Sequence, residues 1–326
     1  MLKYPMTKKT VMIFGVSSFM GSNLADQLKD KYRVIGTYFT NPVEIPGVLS
    51  LKCDVHSKEL VQKLVLLFKP DVCIYAVGLT DLRACQEFPK VADALNTAGV
   101  FNVAMASERY HAKFIYFSTC YIFSGEDIIF RENETPTPSS VYGNTVAAAE
   151  FFIQRSCLNY IIYRCCPIFG RSYNCRDLKW TEIIEKHEFQ GKKIICDTKV
   201  YTGFIDVCSL AEYVDKGIEL DVTNKLIQVS SSDLMNRYEF AKTYLEIFGG
   251  NTGILSKGDW EFPRTENQIA LQGVGDELKF SMDVFNIQKE FNVTMPTIEQ
   301  SVERYKKSLE GSIKTNKRSS GGVQFI

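Results

Sequence analysis

The sequence is poor in the residues and patterns that mark metal sites. It has 3 histidines among 326 residues, and its 10 cysteines are scattered without a single C-x-x-C pair. Because zinc sites need clustered nitrogen and sulfur ligands, we predict that the chain has no metal site. The cysteines are instead expected to be small buried hydrophobic residues of a protein in a reducing compartment.

The sequence also lacks net charge and long hydrophobic runs. Its 38 basic and 38 acidic residues give a formal net charge of +0, so no electrostatic argument favours nucleic acid as a partner. No apolar run reaches the roughly 18 residues that a membrane helix needs. The segment MLKYPMTKKT at the start is basic and lacks the apolar core of a secretion signal. We therefore expect a cytoplasmic protein without nucleic-acid or membrane partners.

The first half of the chain contains a regular alternation of two hydrophobic periods. Continuous apolar segments such as 10–16 and 71–77 alternate with amphipathic segments such as 22–30 and 58–70. Strands that alternate with helices in this way predict a parallel sheet covered on both faces. The predicted fold class is therefore α/β, a doubly wound parallel sheet of the Rossmann type.

The alternation loosens after residue 166, and this change predicts two lobes. Residues 1–166 are assigned to a dinucleotide-binding Rossmann domain, to which 201–220 returns. Residues 167–200 and 221–312 are assigned to a smaller α/β lobe that binds the substrate over the carboxyl ends of the strands. Residues 313–326 are predicted to form a disordered tail.

A glycine-containing turn lies between the first strand and the first helix. The stretch VMIFGVSSFMGSNLADQL places Gly15, Ser18 and Gly21 in this turn, with Ser18 where a middle glycine is usual. A tight turn brings the helix N-terminus, with its dipole and free N–H groups, close to an anion. The turn therefore predicts dinucleotide binding, although an ordinary strand–helix turn remains the alternative.

The end of the second strand bears on the choice of dinucleotide. Its sequence, GTYFTNP, lacks the acidic residue that usually holds the ribose 2′-hydroxyl of NAD. Thr37, Thr40 and Asn41 are compatible with a 2′-phosphate, so NADP(H) is favoured over NAD(H). Asp54, after the third strand, is placed to meet the adenine edge, or alternatively to cap a helix.

Six stretches in order along the chain carry a family likeness. They are VGLTDLRACQEFPKVADALNTAGVFNVA (77–104), FIYFSTCYIFSGED (114–127), FRENETPTPSSVYGNTVAAAE (130–150), YRCCPIFGRS (163–172), FIDVCSLAEYV (204–214) and IQVSSSDLMNRYEFAKTYLEIFG (227–249). Together they resemble the extended short-chain dehydrogenases/reductases, specifically the branch that is similar to dTDP-4-dehydrorhamnose reductase. The resemblance covers residues from about 10 to 310.

This resemblance implies an NAD(P)H-dependent oxidoreductase that acts on a nucleotide-linked keto-deoxy sugar. The dinucleotide is expected in the first lobe and the nucleotide sugar between the lobes. The related regulatory β subunit of methionine adenosyltransferase serves as a binding partner, so an impaired member that binds dinucleotide or nucleotide sugar without reducing it is the alternative. Extended members commonly pair through helices such as 91–111 and 143–157, so a homodimer is also expected.

The resemblance also assigns the site residues. Tyr142 takes the place of the proton donor, and Thr119, with Ser118 beside it, takes the place of the hydroxyl that bonds the substrate carbonyl. The expected cofactor-binding residues are Gly15, Ser18, Phe19, Met20, Gly21, Thr37, Asp54, Val55, Ala76, Val77, Gly78 and Tyr142. The expected substrate-binding residues are Thr80, Arg164 and Tyr201. For Arg164 a structural salt bridge is the alternative.

Two positions depart from the family pattern. The lysine expected four residues after Tyr142 is Val146, and the acidic residue that often follows the threonine is Cys120. A unit charge at roughly 5 Å, with an effective dielectric near 20, contributes about 3 kcal/mol. That corresponds to about two pKa units, or on the order of a hundredfold in rate. A neutral tyrosine still carries its proton, so reductase remains the first hypothesis.

Overall fold

The computed structural model describes residues 8–126, 128–173, 178–258 and 277–319, with side chains up to residue 310. Its α-helices are α1 Phe19–Leu28, α2 Lys58–Phe68, α3 Leu82–Glu87, α4 Pro89–Asp93, α5 Gly99–Arg109, α6 Val141–Ser156, α7 Trp180–Phe189, α8 Val207–Glu219, α9 Arg237–Phe248, α10 Phe285–Phe291 and α11 Ile298–Ser319. Its strands are β1 Thr10–Phe14, β2 Arg33–Tyr38, β3 Leu49–Lys52, β4 Val72–Tyr75, β5 Lys113–Thr119, β6 Ile129–Phe130, β7 Tyr160–Cys165, β8 Ile168–Phe169, β9 Ile194–Asp197, β10 Val200–Thr202, β11 Ile205–Asp206, β12 Lys225–Val229, β13 Leu255–Gly258 and β14 Leu278–Met282.

A seven-stranded parallel sheet forms the centre of the molecule. Its strand order is β12-β7-β5-β4-β1-β2-β3, and every neighbouring pair is parallel. Strand β1 is fully buried, as its continuous apolar sequence predicts. The chain reverses its direction of winding between β1 and β4, and open sheets bind ligands at such a point. The predicted α/β, doubly wound fold is confirmed.

Most predicted elements lie within a few residues of their observed bounds, and the differences have local causes. Helix α1 begins at Phe19, three residues before the predicted segment 22–30, because the Ser18 hydroxyl accepts a hydrogen bond from the Gly21 N–H and caps the helix. The predicted helix 91–111 is interrupted by a π-helical turn at Ala94–Ala98 between α4 and α5. Such turns insert one extra residue into a helix.

The boundary predicted between the lobes is wrong in one respect. Strand β12, placed by prediction in the second lobe, pairs with β7 and forms an edge of the large sheet. Helix α8 packs against α1, which agrees with the predicted return of 201–220 to the first lobe. The second lobe has its own core, in which Phe169, Phe240 and Tyr305 are in contact. Local hydrophobic pattern identifies β12 as a strand, but it does not encode which strand it pairs with.

The final helix extends further than predicted. Helix α11 continues to Ser319, so the prediction of disorder is wrong for 313–319, and 320–326 lie outside the described residues. Within the described ranges no helix is long and apolar enough to cross a bilayer. The same ranges contain no group of three His, Cys, Asp or Glu side chains suited to a metal ion.

The cysteines of the described ranges are free thiols, and all of them except the partly exposed Cys208 are buried. This burial agrees with the prediction that they serve as small hydrophobic residues. Cys175 lies outside the described residues.

Candidate active-site cleft

The turn after β1 is as tight as its glycines predict. Gly15 has a φ of +90°, and a Cβ there would lie 2.8 Å from the Ala76 carbonyl oxygen. A Cβ on Gly21 would lie 2.1 Å from the Gly15 carbonyl oxygen. The Gly15 N–H also donates to the Thr37 carbonyl at 3.0 Å, which ties the turn to the end of β2. The turn therefore has room for glycine alone at both positions.

A cleft of about 590 Å³ opens beside this turn, between the two lobes. Ten of the residues predicted for the site line it, namely Ser18, Phe19, Met20, Ala76, Val77, Gly78, Thr80, Ser118, Thr119 and Tyr142. Because α1 begins at Phe19, the N–H groups of its first turn have no intrahelical acceptors, and Phe19 and Met20 place them at the cleft. The first lobe thus presents the N-terminus of α1 at the same cleft as Thr119 and Tyr142.

The two residues predicted to form the catalytic pair lie close to the end of β5. Thr119 is the last residue of β5 and Tyr142 is the second residue of α6, and both side chains line the cleft. Ser140 caps α6 by accepting from the Gly143 N–H at 3.1 Å. A Cβ on Gly143 would lie 2.1 Å from the Tyr121 carbonyl oxygen, so a glycine there lets α6 approach the chain after β5. This close approach brings Tyr142 to Thr119.

The surroundings of the Tyr142 phenol favour its neutral form. Burial raises the pKa of the Tyr142 phenol above its ordinary value, and the hydrogen bond with Thr119 lowers it in part. The Tyr121 ring packs edge-on against the Tyr142 ring at 6.4 Å and against Phe280 at 4.9 Å. Tyr121 thus lines the cleft as a packed aromatic residue. Tyr142 therefore retains its proton at neutral pH.

Three neighbouring thiols add no charge to this environment. Cys165 and Cys166 line the cleft, and Cys120 follows Thr119. Burial raises the pKa of the Cys166 thiol to about 12. Burial likewise raises the pKa of Cys120 and of Cys165 well above the usual cysteine value. All three thiols are therefore protonated at neutral pH, and a protonated thiol is a poor nucleophile.

Val146 is part of the hydrophobic core next to the cleft. Its side chain is 3% exposed and lies on α6, one turn after Tyr142. Its neighbour Thr145 donates a hydrogen bond to the Tyr142 carbonyl at 2.9 Å and accepts one from the Asn96 amide at 3.2 Å. Neutral contacts therefore occupy the part of α6 where the family pattern has a lysine.

Asn96 connects the cleft loop to α6. It lies in the π-helical turn and is 3% exposed. Its Oδ1 accepts from the Leu79 N–H at 2.9 Å, and its amide donates to the Leu79 carbonyl at 3.0 Å. Because its amide also reaches Thr145, Asn96 fixes the loop after β4 relative to the helix that carries Tyr142. Helix packing with amide hydrogen bonds accounts for this residue.

The assignment of Arg164 to substrate binding is corrected by its contacts. Its side chain is 2% exposed, and it is not among the residues that line the cleft. Its Nη2 donates to Glu150 at 2.8 Å, and its Nη1 donates to the Glu132 carbonyl at 3.1 Å. Arg164 therefore forms a structural ion pair with Glu150, which is the alternative that the sequence left open. It does not replace the missing lysine beside Tyr142.

Six other predicted site residues lie outside the lining of the cleft, namely Gly15 and Gly21 in the adjoining turn and Thr37, Asp54, Val55 and Tyr201. Tyr201 alternates with Val200 and Thr202, which do line it, because successive side chains of a strand point to opposite faces. Thr37 is fully buried at the end of β2, and Val55 is 5% exposed. The Asp54 carboxylate contacts the backbone N–H and the ring of its neighbour His56, each at 2.9 Å.

Three cationic residues, Arg83, Lys179 and Arg237, line the cleft together with the predicted site residues. Arg83 lies in α3, while Lys179 and Arg237 lie at the starts of α7 and α9 in the second lobe. Lys179 Nζ lies 5.5 Å from the ring centre of Phe19, and the Arg237 guanidinium lies 5.4 Å from that of Trp180. Capping signals identify both helix starts, but no local pattern shows that they converge on the cleft.

The fold and the cleft define a two-lobed α/β protein of the Rossmann class, with its cleft at the carboxyl ends of the parallel strands. Comparison with known proteins makes this more specific. A family model described as the RmlD substrate binding domain matches residues 9–264. The chain therefore belongs to this family of extended short-chain dehydrogenases/reductases, which confirms the resemblance inferred from the sequence.

Individual relatives agree with this assignment. The chain is 22% identical to a probable low-salt glycan biosynthesis reductase of Haloferax volcanii over 89% of its own length and 95% of the relative. It is 31% identical to the dTDP-4-dehydrorhamnose reductase of Salmonella typhimurium, over 37% of the chain and 44% of that relative. The crystal structure of a dTDP-4-dehydrorhamnose reductase from Bacillus anthracis with NADP superposes with a TM-score of 0.77 and 20% identity, covering 93% of this chain and 100% of that one.

Proposed function

We propose that this protein is an NADPH-dependent reductase of a nucleotide-linked keto-deoxy sugar. The observation that carries the proposal is the placement of the Thr119 and Tyr142 side chains, which line the same cleft as the turn between Gly15 and Gly21. The curated relatives named as a probable glycan biosynthesis reductase and a dTDP-4-dehydrorhamnose reductase support both the reaction class and the substrate class.

The first lobe fits a nicotinamide dinucleotide. At Gly15 and Gly21 there is no space for a Cβ atom, so the backbone of the turn can come close to a phosphate. The turn leads into the N-terminus of α1, and helix N-termini bind phosphates. The Ser118 hydroxyl is buried and has no hydrogen-bond partner among the described residues. When bound, the reduced dinucleotide supplies the hydride. No acidic residue follows β2 before Glu44, and this composition favours NADP(H) over NAD(H).

In this proposal the residues of the chain orient the sugar carbonyl and supply the proton. The Thr119 hydroxyl donates a hydrogen bond to the carbonyl oxygen, and the neutral Tyr142 phenol transfers its proton to that oxygen as the hydride reaches the carbon. Because burial keeps Tyr142 protonated, it is competent as the acid without a neighbouring lysine. Much of the remaining acceleration comes from holding the two reactants in position.

The second lobe supplies groups suited to the nucleotide part of the substrate. Lys179 and Arg237 place cations at the cleft, where a diphosphate carries negative charge. The Trp180 indole N–H is buried and has no acceptor among the described residues. We propose that the two cations bind the diphosphate and that the indole N–H donates to a polar group of the nucleotide.

The experiment that tests this function is turnover of NADPH with a panel of nucleotide-linked 4-keto-6-deoxy sugars. We expect NADPH oxidation with at least one sugar, and a loss of on the order of a hundredfold or more in Tyr142→Phe. Tyr121→Phe is the matched control, since it removes a neighbouring phenol that lines the same cleft. Absence of turnover across the panel, in wild type and variants alike, would contradict the proposal.

A binding protein without reductase activity is the second candidate function. The observation that favours it is the burial of Val146 where a lysine is expected, within a neutral surround. This candidate predicts that nucleotide sugar and dinucleotide bind measurably by calorimetry although no NADPH is oxidised. Binding together with turnover would reject it.

We also propose that the protein is a homodimer that pairs through the outer face of α4, α5 and α6. The large side chains Val91, Phe101 and Phe151 are 48%, 41% and 60% exposed on this face. Phe101 also contacts Phe152 with ring centres 4.2 Å apart. A cluster of exposed apolar side chains of this kind is typical of a protein–protein interface.

A further inference from the structure

The carboxyl end of β3 lies directly beside the residue that ends β2. Tyr38 and Lys52 are register partners in the parallel pair, and the Cys53 N–H donates to the Tyr38 carbonyl at 2.8 Å. Register partners of adjacent strands point to the same face of a sheet. The exposed Lys52 therefore projects beside Tyr38, the position at which a Rossmann protein selective for NAD would carry an acid.

This face is also the one that the phosphate-binding turn covers. Gly36 precedes Tyr38 by two residues, and so shares its face of the sheet. A Cβ on Gly36 would lie 2.5–2.6 Å from side-chain atoms of Val16, the residue after Gly15. The Val16 N–H donates to the Thr37 carbonyl at 2.7 Å. The turn, Tyr38 and Lys52 are therefore neighbours at one corner of the sheet.

The charges at this corner favour an additional phosphate. Residues 33–43 contain no Asp or Glu, so β2 and the loop after it place no carboxylate here. The nearest acid on the β3 side is Asp54, and its carboxylate oxygen contacts the backbone N–H and the ring of His56. Lys52 is a cation two residues before it, on an exposed strand end. An ammonium group attracts a phosphate strongly but gains little from a ribose hydroxyl.

We propose that Lys52 determines cofactor specificity by binding the 2′-phosphate of NADP(H). This inference rests on the proposed function, because it assigns the adenosine end of the dinucleotide to the corner beside β2. It goes beyond the sequence analysis, in which the missing acid and the polar residues Thr37, Thr40 and Asn41 favoured NADP(H). In this proposal the selectivity for NADP(H) over NAD(H) depends on the cation of Lys52 at the end of β3.

Equilibrium binding tests this role without any dependence on turnover. The probes are 2′,5′-ADP and 5′-ADP, which differ by the 2′-phosphate alone, measured by titration calorimetry on the full chain. We expect wild type to bind 2′,5′-ADP more tightly, and Lys52→Gln to weaken 2′,5′-ADP roughly ten- to a hundredfold while leaving 5′-ADP unchanged. Lys58→Gln is the matched control, because it removes an exposed cation from the adjacent start of α2.

The outcomes separate this inference from the proposed function. Equal losses for the two probes in Lys52→Gln, or equal losses in the two lysine variants, would overturn the role of Lys52. Failure of wild type to bind either probe would overturn both the inference and the dinucleotide site. Normal probe selectivity without NADPH turnover would support Lys52 and count against the reductase. The exposure of Lys52 implies an unchanged melting temperature in Lys52→Gln, which confirms that the variant is folded.

Discussion

Tyr142 is surrounded by groups that are neutral at physiological pH. The Thr119 hydroxyl and the thiols of Cys120 and Cys165 lie close enough to influence the pKa of the phenol. Val146 adds a buried aliphatic side chain one turn further along α6. Val146 and Cys120, the two departures from the family pattern, therefore leave the net charge of the site unchanged. One removes the lysine cation, and the other removes the carboxylate anion at residue 120.

This neutrality predicts an unusual pH dependence of sugar reduction. An ordinary tyrosine titrates near pH 10, and burial raises the pKa of Tyr142 above that value. Since reduction needs the protonated phenol, the active form persists as pH rises and is lost only above the raised pKa. We expect kcat/KM to be flat between about pH 7 and pH 9.5 in steady-state assays. A decline with a midpoint near pH 8 would show that the phenol is instead acidified in the complex.

A lysine introduced at residue 146 should make sugar reduction depend on pH in the alkaline range. In Val146→Lys we expect NADPH to bind more tightly and an alkaline loss of reduction to appear about two pH units lower than in wild type. Because residue 146 is buried, the charge should also lower the melting temperature of the free protein. Val146→Met controls for side-chain length without charge. If the lysine and methionine variants have the same affinity and pH profile, the site is built around valine for another purpose.

At the scale of elements, the start of α6 packs closely against the backbone at Tyr121. A side chain on Gly143 would collide with the backbone at Tyr121, so Gly143→Ala must displace either α6 or the turn after β5. We expect this variant to reduce kcat on the order of a hundredfold, because Tyr142 then moves away from Thr119. Dinucleotide affinity should change much less, since the Gly15 turn is on another element. Asn144→Ala, exposed on the same helix, serves as control and should keep full activity.

Local pattern was sufficient to predict most elements, and the family resemblance singled out Thr119 and Tyr142, which line one cleft. The apolar runs identify the strands, and the position of Gly15 and Gly21 after β1 identifies the phosphate-binding turn. Contacts between distant elements escaped prediction for a physical reason. The pairing of β12 with β7 and the ion pair of Arg164 with Glu150 depend on tertiary packing, which sequence periodicity does not encode.

At the scale of the whole molecule, the cleft combines residues that are remote in sequence. Thr119 and Tyr142 come from the first lobe, whereas Lys179 and Arg237 come from helix starts of the second lobe. The sequence predicts a ligand between the lobes, but it does not show which second-lobe side chains face that ligand. For example, Tyr201 belongs to a strand that borders the cleft, but its side chain lies on the face of that strand opposite to the cleft.

The proposed homodimer gives a prediction about the assembly. A charge placed in the centre of the apolar face of α4, α5 and α6 should separate the subunits, because a carboxylate is costly to bury there. We expect Phe151→Glu to elute as a monomer in size-exclusion chromatography with light scattering, while wild type elutes as a dimer. Leu67→Glu is the control, since Leu67 is 71% exposed on α2. A monomeric wild type, or a dimeric Phe151→Glu variant, would contradict this interface.

Hydride transfer itself tests the central claim most directly. NADPH carrying deuterium at the reactive carbon would be mixed with excess protein and a nucleotide-linked 4-keto-6-deoxy sugar, and the sugar product would be analysed by mass spectrometry. If Tyr142 is the acid of a working reductase, one deuterium appears in the product with wild type, and transfer is at least a hundredfold slower with Tyr142→Phe. A sugar that binds but acquires no deuterium, or equal transfer by the two proteins, would contradict the account.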